Sequence, residues 1–505
     1  MTASPRRGIV AAGHAATVDA AAAMLDAGGN AFDAVVAAGL AATVSEPGFT
    51  SLAGGGYLLA RTAAGVDTLF DFFVDTPGRG RPDGAPVPQF EEVSVAFAAA
   101  DQSFHCGPGS VAVPGILAGY LHVHHQLGRL PLSDVVAPAA HLATEGVVVS
   151  ASQATDFALL ATILGRTEAS RTIFFPDGEL LGTGDLLHNH DLGAYLHALG
   201  QDRSATTFYE GQAAQALVDQ LHAGGGMVTV EDLAGYRVIE RKPLKLRYRG
   251  RTLLTNPPPA FGGALLGLAM RRVEASGPLP SRGSPELAVA LVRAMASVDT
   301  DRAAGHPEVA AALRDGFGVD PSTRPVASRG TTHVSVADVE GNVAAMTTSN
   351  GECSGDVIAG TGISCNNMLG EDDLHPDGFH ASPPGVRVAS MMSPTFVLDD
   401  HGHVDLALGS GGSKRIRSAL LQVLTAVIDH SSDLAEAVEA PRLHWDGDHV
   451  EAEPGLSDAV IDAVTGVGPV NVWPSPSMYF GGVHAVAPGR NAVGDARRGG
   501  AVRIV

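Results

Sequence analysis

The sequence predicts a layered α/β protein in which a single body is assembled from both halves of the chain. Three observations carry this. Short β-type runs lie on both sides of Thr331, helical runs separate them, and no repeat or low-complexity linker divides the chain into independent units. At 505 residues the chain could make two to four average domains or one large composite enzyme. It is 45% hydrophobic and only 17% charged, which implies a core that is large relative to the surface. The formal charge of −21 argues against nucleic acid and anionic membranes as partners.

Taken in order, residues 8–12 read as a short strand, and 15–27 as an alanine-rich helix stopped by Gly28-Gly29-Asn30. A second apolar helix, 31–44, ends before Glu46-Pro47. Gly54-Gly55-Gly56 leads into the strand Tyr57-Leu58-Leu59-Ala60, and Val66 to Val74 continues in strand character. The segment 78–95 is rich in Pro, Gly and charge and predicts a loop. From Val113-Pro114-Gly115 to about 240 the pattern is mostly helical, with Glu231-Asp232-Leu233 opening a turn. A strand pair over 244–256 precedes Pro257-Pro258-Pro259 and a helix from about 262. Residues 305–330 form a polar, Pro- and Gly-punctuated approach to Thr331. Strands follow at 331–338 and 342–348, then a loop over 350–385, strands at 394–398 and 403–408, and a helix at 415–430.

Several features argue against other classes. Cys106, Cys353 and Cys365 are too few and too scattered for a disulfide framework or a zinc ribbon, so reduced thiols are expected. His122, His124 and His125 have no third partner at ligand spacing, and neither a metal nor a cofactor is expected. Arg6-Arg7 before an alanine-rich stretch imitates a signal peptide, but His14 and Asp19 interrupt it. The apolar run Ala34 to Val44 is too short to span a membrane, so a soluble, cytoplasmic protein is expected.

The most informative stretch is Gly330-Thr331-Thr332-His333 with Val334-Ser335-Val336-Ala337-Asp338. A bare residue precedes a threonine that opens an apolar/polar alternation. A hydroxyl there, with Gly330 on its acyl side, is placed to attack its own upstream peptide bond. Cleavage would leave a threonine whose free α-amine lies beside its own hydroxyl, a nucleophile with a built-in base. The plain alternative is a buried strand with a Thr-Thr start.

Further motifs carry a resemblance over nearly the whole chain. They are Gly28-Gly29-Asn30-Ala31-x-Asp33-Ala34, Glu46-Pro47 before Gly54-Gly55-Gly56, and Val113-Pro114-Gly115 before Gly128-Arg129-Leu130-Pro131. Then come Pro257-Pro258-Pro259 before Gly262-Gly263, Thr331-Thr332-His333 with Asp338-x-x-Gly341-Asn342, and Met392-Ser393-Pro394-Thr395. Gly409-Ser410-Gly411-Gly412-Ser413, Ala440-Pro441-Arg442 and Asp495-Ala496-Arg497-Arg498-Gly499 complete the set. In this order they resemble the γ-glutamyltranspeptidase family of N-terminal nucleophile hydrolases. The resemblance implies a four-layer αββα fold and autocatalytic cleavage at Gly330/Thr331. The products would be a large chain, 1–330, and a small chain, 331–505, that remain associated as a heterodimer. It also implies roles. Thr331 would attack the substrate carbonyl, with its α-amine, of reference pKa about 7.7–8.0, as the base. Gly411 and Gly412 would aim their amides at the oxyanion, each donor being worth about 3 kcal/mol of barrier. Ser349 would supply the second hydroxyl, usually a threonine in the family. Thr332 and His333 would hold the strand start.

The departures from the family pattern concern the donor pocket. Where glutathione-processing members carry an Arg-Glu pair that grips the α-carboxylate, this chain has Phe73-Val74, an apolar ring in place of a bidentate cation. Arg79 and Arg81 lie nearby as candidate replacements. Of the paired serines on that carboxylate, Ser390 remains and Met391 replaces the other. After Asn366-Asn367, the group expected to hold the donor amine is Met368, with Glu371 three residues on. The asparagine expected two residues past Ser349 is Gly351, although Asn350 adjoins it. Such losses leave desolvated charges unpaired and imply poor use of glutathione. Three readings stay open. One is a self-processing hydrolase of a non-glutathione substrate, cleaving an amide or a carbon–carbon bond beside a carbonyl, as in natural-product (alkylproline-type) biosynthesis. Another is a genuine γ-glutamyl hydrolase or transpeptidase with a relocated clamp. The last is a catalytically silent binding protein on the same fold.

Overall fold

The structure is a computed structural model. It describes residues 7–82, 84–96, 99, 101–202, 206–306, 308–309, 311, 330–371, 374–375 and 378–505. Two antiparallel sheets stack face to face, and each carries helices on its outer side. One sheet has seven strands in the spatial order Ala501–Ile504, Gly8–Ala12, Thr332–Asp338, Val343–Ser349, Gly55–Arg61, Asp67–Phe72 and Ile239–Arg241. The other has six, Asn491–Val493, Gly482–Ala487, Val404–Gly411, Thr395–Leu398, Arg251–Thr255 and Leu244–Tyr248. Helices Ala15–Asp26 and Ala31–Ser45 cover the first sheet, and Arg415–His430 and Phe261–Ala275 cover the second. This is the four-layer αββα arrangement.

Layering on both sides explains a sequence feature unusual for antiparallel sheets. Such sheets commonly keep one wet face and alternate polar with apolar residues. Here Ile9, Ala11, Tyr57 and Leu59 pack into the core shared with the second sheet, while Val10, Ala12, Leu58 and Ala60 pack under the helices. Both faces are dry, so the strands read as near-continuous apolar runs. Helix Ala31–Ser45 is buried along its whole length, as a helix that is apolar all round must be. Asn30 starts it by accepting from the amides of Phe32 and Asp33, and Asp33 returns a bond to the Asn30 amide. Such a reciprocal cap is worth about 1 kcal/mol.

Neither side of Thr331 forms either of the two stacked sheets alone. In the seven-stranded sheet, Thr332–Asp338 and Val343–Ser349 lie between Gly8–Ala12 and Gly55–Arg61. In the six-stranded sheet, Arg251–Thr255 pairs with Thr395–Leu398. Breaking the chain at 330/331 would therefore leave both sheets interleaved.

The structure corrects the reading of 78–95 as one loop. Its last part is the strand Glu91–Ala96, paired with Asp101–Cys106, and Phe90 packs on Phe379 with ring centroids 4.8 Å apart. Glu231-Asp232-Leu233 lies in the helix Val230–Gly235, capped by Thr229. The helix Pro285–Ala303 and the strand Gly482–Ala487 were not anticipated. Most of the approach to Thr331, residues 312–329, lies outside the described residues. Among the described residues no helix is long and apolar enough to cross a membrane.

Candidate active site

Thr331 sits at the mouth of the central strand pair. Thr332 is paired with Thr348, which sets Thr331 beside Ser349 at the end of the neighbouring strand. Thr331 is only 4% exposed. In the unbroken chain the Ser349 hydroxyl donates a short hydrogen bond to the Gly330 carbonyl oxygen. The same hydroxyl accepts from the Gly351 amide at 2.9 Å, and the Gly330 amide donates to Glu352 Oε1 at 2.9 Å. The peptide unit before Thr331 is thus held on both its neighbouring amide and its carbonyl. Gly330 must be glycine here, because a Cβ would fall 1.7 Å from the Gly351 carbonyl oxygen.

The other side of Thr331 is held by charge. Arg498 donates from Nη1 to the Thr331 carbonyl oxygen at 2.9 Å. Thr332 Oγ1 donates to Glu46 Oε2 at 2.6 Å, and Thr17 Oγ1 donates to Glu46 Oε1 at 2.8 Å. Burial pushes the Glu46 carboxyl up, with the Thr332 hydroxyl opposing. His333 lies between Thr347 Oγ1 at 2.8 Å and Ser335 Oγ at 2.9 Å, and burial keeps its ring neutral by lowering its pKa well below the usual value. It is a core histidine tying two strands together. Gly411, at the end of Val404–Gly411, comes so close that a Cβ would lie 2.2 Å from the Thr331 carbonyl oxygen. Gly412 follows with φ of 110°, which glycine adopts readily.

A buried carboxyl beside this group yields a pH prediction. Burial raises Asp156 to about 8, with Arg498 opposing, against about 3.9 for an exposed aspartate. Between those values the folded chain keeps a proton that the unfolded chain has released. Stability therefore falls as pH rises from about 4 to about 8, by at most about 1.4 kcal/mol per pH unit. Asp156→Asn should flatten that part of the profile in urea unfolding. An unchanged slope would mean that Arg498 keeps the carboxylate ionised.

A small cavity of about 20 Å³ adjoins Thr331, roughly the space of one water molecule. Phe73, Met368, Glu371, Ser390 and Met391 line it together with Thr331 and Ser349. Phe73 is stacked on Tyr57 at 5.5 Å between centroids. Met368 is presented by the Asn366-Asn367 turn, in which Asn366 Oδ1 accepts from the Ala112 and Met368 amides at 3.0 and 3.1 Å. Ser390 Oγ accepts from the Met392 amide at 3.1 Å.

Three of the expected residues lie elsewhere. Asn350 is fully buried behind the site, its Nδ2 donating to the Cys365 carbonyl at 3.1 Å. Arg79 is turned toward Gly385, and its amide is bound by Asp232 at 3.0 Å. Arg81 donates to the Pro86 carbonyl at 2.9 Å. Neither arginine lines the cavity. The cation behind Phe73 is instead Arg387, which pairs with Asp71 at 3.3 Å and Asp75 at 2.9 Å and reaches the Phe73 carbonyl. Its charge is compensated inside the wall.

The sequence reading missed Leu374, Met392, Ser413 and Ile416, which complete the lining. Met392 and Ser413 stood in quoted motifs, and Ile416 lies in the first turn of the helix after the glycine pair. His122 and His124 are engaged separately, with Glu240 at 2.8 Å and the Leu130 carbonyl at 2.9 Å. Among the described residues no group of three or more His, Cys, Asp or Glu is arranged to hold a metal ion.

Comparison with known proteins fits this geometry. The family model described as gamma-glutamyltranspeptidase matches residues 17–313 and 284–505. The chain belongs to the γ-glutamyltranspeptidase family. The acylase ACY 1 proenzyme of Pseudomonas sp. (strain SE83) is 33% identical over 510 residues, covering 96% of this chain and 90% of that one. The glutathione hydrolase proenzyme of Escherichia coli (strain K12) is 30% identical over 493 residues, covering 90% and 83%. The solved cephalosporin acylase from Bacillus halodurans superposes with a TM-score of 0.77 at 23% identity, covering 99% of this chain and 96% of that one, a likeness of fold. As a member of the γ-glutamyltranspeptidase family, the protein is an autoprocessing N-terminal nucleophile hydrolase.

Proposed function

We propose that this protein is an N-terminal threonine amidase for a substrate with an apolar acyl group, and that the γ-glutamyl bond of glutathione is not its target. The lining beside Thr331 carries this reading. It presents Phe73, Met368, Leu374, Met391, Met392 and Ile416, and among the described residues its one ionisable side chain besides Thr331's future amine is Glu371. A donor α-carboxylate would find no cation among the described lining residues, and desolvated charge left unpaired is rejected by orders of magnitude. A relative named as an acylase, 33% identical to this chain, supports the same reading.

In maturation, the Ser349 hydroxyl polarises the Gly330 carbonyl while Thr331 Oγ attacks its carbon. The new C–O bond replaces the Gly330–Thr331 C–N bond, the hydroxyl proton passes to the departing nitrogen, and water then hydrolyses the ester. The freed α-amine takes the Thr331 hydroxyl proton in turnover and returns it to the leaving amine. Gly411 and Gly412 stabilise the tetrahedral oxyanion, and water releases the acyl group. Segments 1–330 and 331–505 stay together through the interleaved sheets, and the role of Arg498 is to fix the Thr331 main chain from which the amine projects.

The test is a substrate panel on the matured protein: glutathione, a γ-glutamyl anilide, aliphatic and aromatic acyl anilides, and a ketone of the same acyl shape. Acyl anilides should be turned over with kcat/KM at least about 10³-fold above the γ-glutamyl compounds. Preferred turnover of glutathione would restore the reading as a γ-glutamyl hydrolase or transpeptidase. Cleavage of the ketone alone would assign the carbon–carbon reaction of an alkylproline-type precursor.

A further inference from the structure

The turn that follows the strand Val343–Ser349 aims two side chains at one residue across the future break. Ser349 reaches the Gly330 carbonyl, and Glu352 accepts from the Gly330 amide at 2.9 Å. Glu352 is only 2% exposed. A carboxylate is costly to bury unless its oxygens meet donors, and a charged acceptor makes a stronger hydrogen bond than a neutral one.

The backbone of the turn is itself pinned. The Glu352 amide donates to Asn367 Oδ1 at 2.9 Å. The Cys353 amide donates to the Asn350 carbonyl at 3.3 Å, and the Ser354 amide to the Cys365 carbonyl at 3.0 Å. Cys353 takes a φ of 63°, a left-handed value that a residue with a Cβ adopts at some cost. The chain thus turns sharply just past Glu352. From the other side, a Cβ on Gly330 would meet the Gly351 carbonyl oxygen at 1.7 Å and the Glu352 amide nitrogen at 3.3 Å. Gly330 therefore lies against the backbone of Gly351 and Glu352. Its contact with the carboxylate belongs to maturation, because Gly330 is the acyl part of the bond that breaks.

We propose that Glu352 is a positioning residue for self-cleavage, holding the Gly330 amide so that the carbonyl carbon faces Thr331 Oγ. Ser349 fixes the oxygen and Glu352 the nitrogen, one anchor on each side of that carbon. Thr331 Oγ bonds to the carbon, the C–N bond breaks, and the hydroxyl proton ends on the Thr331 nitrogen as it becomes the α-amine. Water then cleaves the ester. The inference rests on the reading of Thr331 as the nucleophile.

The experiment follows self-cleavage of the freshly made full-length chain by intact mass, with thermal unfolding of each variant measured alongside. Glu352→Leu keeps much of the bulk without an acceptor and should slow cleavage about 10²-fold, the cost of misplacing reacting atoms by about an ångström. Glu352→Gln keeps the reach and an acceptor oxygen, and should bring the rate back to within about tenfold of the native chain. Glu352→Asp keeps the charge but falls one methylene short, and should cleave more slowly than the Gln variant. After long incubation, kcat per cleaved Thr331 should have fallen far less than the cleavage rate. Native-rate cleavage by the Leu variant, an Asp variant faster than Gln, or equal losses in cleavage and kcat would each overturn the proposal. The Gln and Asp comparison decides it even where the Leu variant does not fold. Cleavage by Thr331→Ala would instead overturn the nucleophile reading beneath it.

Discussion

Thr331→Ala leaves one unbroken chain and no turnover. In the proposed mechanism both steps use the same oxygen, so both should disappear together. Removing a nucleophile from a site of this kind costs about 10⁴-fold or more in kcat. The measurement is intact mass of the purified protein followed by assay on its best acyl substrate. The fold should survive, because Thr331 precedes the strand Thr332–Asp338. The neighbouring pairs, Thr332 with Glu46 and His333 with Thr347, do not involve its hydroxyl. A matched Thr331→Ser should cleave and turn over, since it retains the hydroxyl. An Ala variant that still splits at 330/331, or an unbroken one that retains full activity, would remove Thr331 from the chemistry.

Gly411→Ala should cost the second-largest amount, about 10²–10³-fold in kcat. Its added methyl carbon would stand 2.2 Å from the Thr331 carbonyl oxygen and 3.0 Å from Arg498 Nη1. Something must move, and the movable partner is Thr331, whose carbonyl is held by that same guanidinium at 2.9 Å. Displacing a nucleophile by an ångström costs about 10²-fold, and loss of an oxyanion donor costs a similar factor. The loss should fall on kcat more than on KM, because the acyl lining from Phe73 to Ile416 is not touched. Slower self-cleavage in a time course of purified precursor should accompany it. An effect on KM alone would place Gly411 outside the reacting centre.

Much of the layered body could be read from local pattern. The strand after Thr331 alternates cleanly, and the structure sends Val334 and Val336 to the helix-covered core and Ala337 to the core between the sheets. Helix 31–45 announced itself by Gly28-Gly29-Asn30 and an apolar run longer than any strand. The misses have physical causes. Gly482–Ala487 is a short buried run whose apolar content does not distinguish strand from helix. Helix Pro285–Ala303 carried a legible start, Ser284 capping with Pro285 in its first turn, but charged residues in its second half blurred the apolar face. Glu91–Ala96 was hidden by the Pro- and Gly-rich stretch that precedes it.

What the sequence determined by itself is the set of residue types at fixed local spacing: a bare residue before Thr331, a hydroxyl at Ser349, paired glycines at Gly411 and Gly412, and an apolar ring at Phe73. Those depend on neighbours a few residues away. What only the tertiary structure decided is which distant side chains share one space. Leu374, Met392 and Ile416 join Thr331 because the two sheets stack and the helix Arg415–His430 begins just past the glycine pair. Arg79 and Arg81, close in sequence to Phe73, are held elsewhere by Asp232, Gly385 and Pro86. Arg387, far away in sequence, stands behind Phe73 with Asp71 and Asp75. A buried cation must be paired or it costs several kcal/mol, and which acids are in reach depends on how the chain packs.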